Sequence, residues 1–138
     1  MKNTWIRSLT LTAVALTLGT AAYAQTRMTA TVPFSFRING TVLPAGEYAI
    51  GTLSTSNISV VKIADRSHKN AAFALASSGV QGKSEEPRLV FRCGDVMGCT
   101  LIQAWDDNGY GWEFQKPRLA PTEKGLLAVV PLHRASAD

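Results

Sequence analysis

Histidine and cysteine each occur only twice in the 138 residues. A zinc centre on the two cysteines would therefore need both His68 and His133. No G-x-S-x-G elbow is present, so an α/β-hydrolase type of nucleophile has no place in the chain. No run of Lys or Arg and no basic helix occurs, which argues against the clustered patch that phosphate-backbone binding requires. Glycine, at 11, and proline, at 6, stay at ordinary levels, so collagen-like and low-complexity readings fail. No internal repeat stands out. After the first two dozen residues, no apolar run is long enough to span a bilayer, and no segment shows a helical period.

Hydrophobic residues make up 46% of the chain and charged ones 17%, a balance that suits one packed domain rather than disorder. The formal charge of +4 resembles that of a nucleic-acid binder until the N-terminus is read. Lys2 and Arg7 precede an apolar run from Leu9 to Leu18, and Ala22-Tyr23-Ala24 forms a small-x-small cleavage site. Residues 1–24 thus have the pattern of a secretory signal peptide, with a core shorter than the roughly 20 apolar residues of a membrane span. Without Lys2 and Arg7, the excess of 14 basic over 10 acidic residues shrinks to two. Residues 25–138 are the expected mature domain, secreted or periplasmic, with no transmembrane segment and no nucleic-acid partner.

That domain reads as short alternating segments broken by turns, the all-β pattern. Ala30, Val32, Phe34, Phe36 and Ile38 point one way, and Pro33 among them marks an edge or a bulge. Asn39-Gly40 is a type I′ hairpin signal, and Leu43-Pro44-Ala45-Gly46 is a second turn. Tyr48 and Ile50 face inward on the next strand. Ile58–Ile63 is apolar on both faces, and Ala71, Phe73 and Leu75 form the inward face of a further strand. Ser77–Glu86 reads as a loop. Leu126–Leu132 reads as the last strand.

Leu89, Phe91 and Cys93 alternate on one face, as do Cys99, Leu101, Gln103 and Trp105. Asn108-Gly109, taken as a two-residue turn, pairs Trp105 with Trp112 and Gln103 with Phe114. Trp105, Tyr110, Trp112 and Phe114 then share one face with Phe91 and Leu101. The same register sets Cys93 opposite Cys99, and an oxidising compartment makes a structural disulfide the expected state. The Trp face is either the inside of a sandwich or a stacking platform for sugars or apolar ligands. Trp105, Tyr110 and Trp112 are accordingly the candidate ligand-binding residues.

Two stretches, Val32–Ile50 (VPFSFRINGTVLPAGEYAI) and Leu89–Trp105 (LVFRCGDVMGCTLIQAW), resemble a group of small exported β-rich proteins common in acidobacteria. The resemblance implies export and a β-rich fold, and carries no activity, cofactor or catalytic residue. Cys93 and Cys99 stand where that group more often has aromatic or aliphatic residues. The turn Leu43–Tyr48 is also similar to the L-P-x-G-x-Y turn of prealbumin-like β-sandwich modules.

The remaining chemistry-bearing residues have simpler readings. His68 sits in a polar turn and His133 just after the last strand. Glu85 and Glu86 are adjacent loop carboxylates, not a cleft pair. Asp106-Asp107-Asn108-Gly109 lacks EF-hand spacing and fits turn chemistry. Asn39 and Asn57 head glycosylation triplets that matter only in a secretory system that reads them.

The expectation is an antiparallel β-sandwich or small barrel of about seven to eight strands following a cleaved signal helix. It is non-enzymatic and lacks metal and cofactor. Its role is structural or binding, the partner being carbohydrate or another envelope protein. A carbohydrate- or small-ligand-binding module built on the Trp hairpin is the alternative.

Overall fold

The computed structural model describes residues 27–55, 58–82 and 86–135. The expected signal segment, Asn57 and Glu85 lie outside the described residues. The first half supplies β1 (Met28–Val32), β2 (Phe36–Ile38), β3 (Thr41–Leu43), β4 (Gly46–Thr55), β5 (Ile58–Asp65) and β6 (Ala71–Leu75). The second half supplies β7 (Ser78–Gln81), β8 (Arg88–Gly94), β9 (Gly98–Trp105), β10 (Tyr110–Glu113), β11 (Leu126–Pro131) and β12 (His133–Arg134).

These strands form two sheets that face each other as a sandwich and do not close into a barrel. One sheet runs β12-β1-β4-β5-β6. The other runs β11-β8-β9-β10-β7, with the β2–β3 hairpin attached to β9. Every pairing is antiparallel except β2 with β9.

There are more strands than the sequence suggested because the chain divides them where it changes sheets. The alternating stretch around Pro33 is one such place. β1 lies in the five-stranded sheet and β2 in the seven-stranded one, with Pro33 between them. Proline has no N–H to give to a ladder, so the break falls where the ladder loses least. The alternation survives the break because both halves face the same core, with Ala30, Val32, Phe36 and Ile38 all buried. Leu132 makes a second crossing, between β11 in one sheet and β12 in the other.

Turn chemistry fixes the first hairpin. Asn39 has φ 47° and Gly40 φ 82°, the two positive values that a type I′ turn needs. The loop therefore has two residues, and Ile38 pairs with Thr41. Pro44 and Ala45 then carry the chain to β4, where the buried Tyr48 hydroxyl donates to the Pro44 carbonyl. Burial, with the Asp65 carboxylate nearby, raises the Tyr48 phenol above its ordinary value, so it stays a donor.

The core spans both sheets. Phe36 meets Tyr48 of the facing sheet edge-on at 5.2 Å and Phe91 of its own sheet at 5.3 Å. Leu89, Leu101, Val61 and Ile63 fill the space around them. On β6 the inward face is the opposite of the one expected: Ala72 and Ala74 are buried, and Phe73 and Leu75 are exposed, because the small alanines fit the close-packed core side of the strand. Cys93 and Cys99 are directly opposed in the β8–β9 register, and their sulfurs lie at a bonded 2.04 Å.

The stretch from Ser77, expected as a loop, contains the edge strand β7, which pairs along β10 from Ser78 to Gln81. Val80 is its only large apolar residue, too little to signal a strand from sequence. β7 is held mainly by backbone bonding to β10, and Gly79 leaves room for the Tyr110 ring to lie across it.

Candidate functional site

The aromatic hairpin is built differently from the two-residue turn that Asn108-Gly109 suggests. The loop has three residues, Asp107–Gly109, closed by the Asp106 N–H donating to the Tyr110 carbonyl at 2.9 Å. The Asp106 carboxylate accepts from the N–H groups of Asn108 (2.9 Å) and Tyr110 (2.8 Å) and so shapes the loop. Only Gly109 takes a positive φ, 77°, as a three-residue loop with one left-handed residue requires. One extra loop residue moves the register by one. Trp105 faces Gly111, and Trp112 faces Ala104, so the expected Trp105–Trp112 pairing does not occur.

A bulge acts in the same strand. Val90 pairs with Gln103 and Phe91 with Leu101, leaving Ile102 as the extra residue of β9. The bulge reverses the alternation beyond Leu101. Ala104 joins the core, while Ile102, Gln103 and Trp105 lie on the outer face. The single face expected from Cys99 through Trp105 therefore ends at Leu101.

Trp105 and Trp112 thus sit on opposite faces of one hairpin. Trp105 is 7% exposed and packs with Val80, Val90 and Ile102 in a small outer cluster. Its ring covers Gly111 and reaches Gly82, and the Arg88 guanidinium lies 4.8 Å above it. Its indole N–H donates to Gln103 at 3.1 Å, and the Gln103 amide donates to Glu113 at 3.0 Å. Gln103, troublesome for an all-core reading of this face, is thereby satisfied at the outer surface.

Trp112 lies on the inner face, half-buried against the main core, with Tyr110 edge-on to it at 5.0 Å. Tyr110 is 40% exposed, and Phe114 is buried in the same core. Trp105, Tyr110 and Trp112 do not form one flat platform. The Trp112 Nε1 atom is buried and, among the described residues, has no hydrogen-bond partner.

Beside Trp112 a cleft of about 240 Å³ opens between the two sheets. Met28 and Ile50 line it from one sheet, Ala104 and Trp112 from the other, and Leu132 from the crossing. Asp107 at its rim is held by Arg134, whose Nε donates at 2.7 Å. Sequence reading missed Met28, Ile50, Leu132 and Arg134 as neighbours of the hairpin. They come from distant parts of the chain, and no local pattern links them. The glycine at 111, between two aromatics, was the one available signal that a ring lies flat across the strand.

Trp105, Asp106, Asp107 and Asn108 also line this cleft, while His68, His133 and Glu86 stay apart from it. His68 occupies the Asp65–Asn70 turn with φ 56°, and His133 lies in β12. The Asn70 side-chain amide donates to Asp65 at 2.8 Å, which, with Ser67 and backbone N–H groups, holds the Asp65 carboxyl below its ordinary value. Glu86 is exposed, and the Asp106 carboxylate is engaged by its own loop. Among the described residues no three His, Cys, Asp or Glu side chains group to hold a metal ion. The chain matches no family model, no curated protein and no solved structure in the comparisons made.

Proposed function

We propose that this chain is an exported, non-enzymatic domain with a structural role, acting in the periplasm or outside the cell by association with a second copy of itself. The observation that carries the reading is strand β11. It closes one side of its sheet and, among the described residues, has no backbone partner beyond β8. It also leaves Leu126, Leu127 and Val129 exposed at 70%, 67% and 59%. A bare apolar edge without Lys or an inward charge is a template for strand pairing.

The strand is complementary to itself. A two-fold axis through Ala128 would set Leu126 against Val130 and Leu127 against Val129, with no charged side chain in the pairing. The leader pattern, the resemblance to exported β-rich proteins and the bonded Cys93–Cys99 pair support the export half of the reading.

Sedimentation velocity on the mature chain tests the association. A concentration-dependent dimer is expected, and Leu127→Lys with Val129→Lys should abolish it while leaving the melting temperature within a few degrees. A monomer at every concentration would overturn the self-association. Intact mass of the exported protein tests the other half: the chain should begin at Gln25, and a retained Met1 would contradict export by cleavage.

A further inference from the structure

The outer face of the five-stranded sheet carries a groove that the association through β11 does not use. In the strand register Gly51 pairs with Lys62 and Lys62 with Phe73, and the next row is Ala49, Ala64 and Ala71. Ile50, Ile63 and Ala72, between these rows, belong to the core, so the rows themselves face outward. A Cβ built on Gly51 would meet nothing within 4 Å, so the space above it is open. Ala64 is only 4% exposed although it faces outward, because larger side chains stand around it. The result is a groove of about 260 Å³ with Ala49, Gly51 and Ala64 as its floor and Arg27, Lys62, His68 and Phe73 among its walls. Ile50 and Thr52 complete the lining, which holds no carboxylate.

Among the described residues neither Arg27 nor Lys62 forms a salt bridge. The Lys62 ammonium lies 5.7 Å from the centre of the Phe73 ring, and that ring is 53% exposed. Arg27 and His68 also border a neighbouring depression that contains Glu47 and Asp65. Both of those carboxylates have other partners, Glu47 the Arg66 guanidinium at 4.0 Å and Asp65 the Asn70 amide at 2.8 Å.

We propose that this groove binds an aromatic carboxylate of about one ring. The ring lies on the floor of small residues and against Phe73, and the carboxylate meets Arg27 and Lys62, with the His68 imidazole as a further donor. The volume suits a single ring, since it is below the roughly 300–1,000 Å³ of sites for drug-sized molecules. An uncharged ligand would leave both cations unmatched, and a bare inorganic anion would leave Phe73 in water. A depression of about 370 Å³ beside Arg37, Lys116 and Arg118 also gathers cations, but no aromatic ring lines it.

The test follows the amide resonances of the mature chain during titration with benzoate, acetate and benzyl alcohol at one pH and ionic strength. Acetate has the charge without the ring, and benzyl alcohol the ring without the charge. Benzoate should shift the Gly51, Lys62 and Phe73 amides saturably and bind about tenfold more tightly than either, the ratio that hydrogen bonding to a charged group supplies. The variant with Leu127→Lys and Val129→Lys should bind benzoate as the wild type does, which separates this site from dimer formation. Lys62→Gln should weaken benzoate about fivefold, while Arg37→Gln, which removes the same charge from the other cationic depression, leaves it unchanged. Gly51→Leu should fill the groove and abolish binding. The wild-type titration does not depend on any variant's folding. No saturable shift at Gly51, Lys62 and Phe73, acetate or benzyl alcohol binding as tightly as benzoate, or a Lys62→Gln variant that loses no more than Arg37→Gln would each overturn the inference.

Discussion

Gly111→Ala tests the hairpin register with one methyl group. Gly111 is directly opposite Trp105, and a Cβ built on it would lie 2.8 Å from the indole ring. Real Cβ atoms do not approach that closely, so the ring or the strand must move. The ring has little freedom: it is packed on Val80, Val90 and Ile102, reaches Gly82, lies under Arg88 and donates to Gln103. Overpacking of this kind costs about 1–3 kcal/mol. For a domain of this size that lowers the melting temperature by about 5–15 °C.

Calorimetry or circular dichroism of the purified mature chain gives the number, and two controls assign it. Gly51→Ala, where a Cβ would meet nothing within 4 Å, should be near neutral. In a Trp105→Val background, Gly111→Ala should cost less than about 0.5 kcal/mol, because the clash is with the ring. If Gly111→Ala is neutral in the wild type, or equally costly without Trp105, the three-residue loop and the register argued from it are wrong.

Replacing Cys93 and Cys99 together by Ala should lower stability by about 2 kcal/mol, since the loop they close is short. Two free thiols titrated in the native, unreduced protein would contradict the bond. Gly40→Val should cost about 1–2 kcal/mol through its φ of 82° alone, because a Cβ there meets nothing within 4 Å. A neutral result would mean that the β2–β3 turn is not type I′. Asp65, held below its ordinary 3.8 chiefly by the Asn70 amide, stabilises the fold above that pH, and the contribution disappears as acid protonates it. The melting-temperature gap between wild type and Asp65→Asn should therefore shrink as pH falls from neutral through 3.8. A gap that stays constant would refute the assignment.

Much of the fold was legible where one residue type forces one backbone state. Asn39 and Gly40 accept positive φ, and their turn came out as read. The opposed cysteines lie on a stretch without bulges, so counting from the turn between them gave the right pair. Pro33 signalled a break in the ladder, although not that the chain would change sheets there. β7 was missed because its strand character comes from β10 and not from its own side chains. The cleft was invisible for a similar reason. Met28, Ile50, Trp112 and Leu132 are apolar residues in four separate segments, and only the sandwich brings them together.

The hairpin shows how two local irregularities can hide each other. The bulge at Ile102 turns the side chains of β9 over once, and the third loop residue shifts β10 by one position. Each alone would move Trp112 and Phe114 to the outer face. Together they cancel, so both stay on the inner face that simple alternation assigned them. Gln103, Ala104 and Trp105, which lie between the two irregularities, change sides. That exchange takes the polar amide out of the core and gives the Trp105 indole a partner. It also leaves the small Ala104 opposite Trp112, where a second indole would otherwise have stood. Ala104 and Trp112 both line the cleft between the sheets. Ala104→Leu should accordingly crowd Trp112 and cost about 1–3 kcal/mol in a thermal melt, while Trp105 keeps its bond to Gln103, read as an unmoved Trp105 N–H resonance. A variant as stable as the wild type would mean that Ala104 does not stand opposite Trp112 and would break the link drawn here between register and packing.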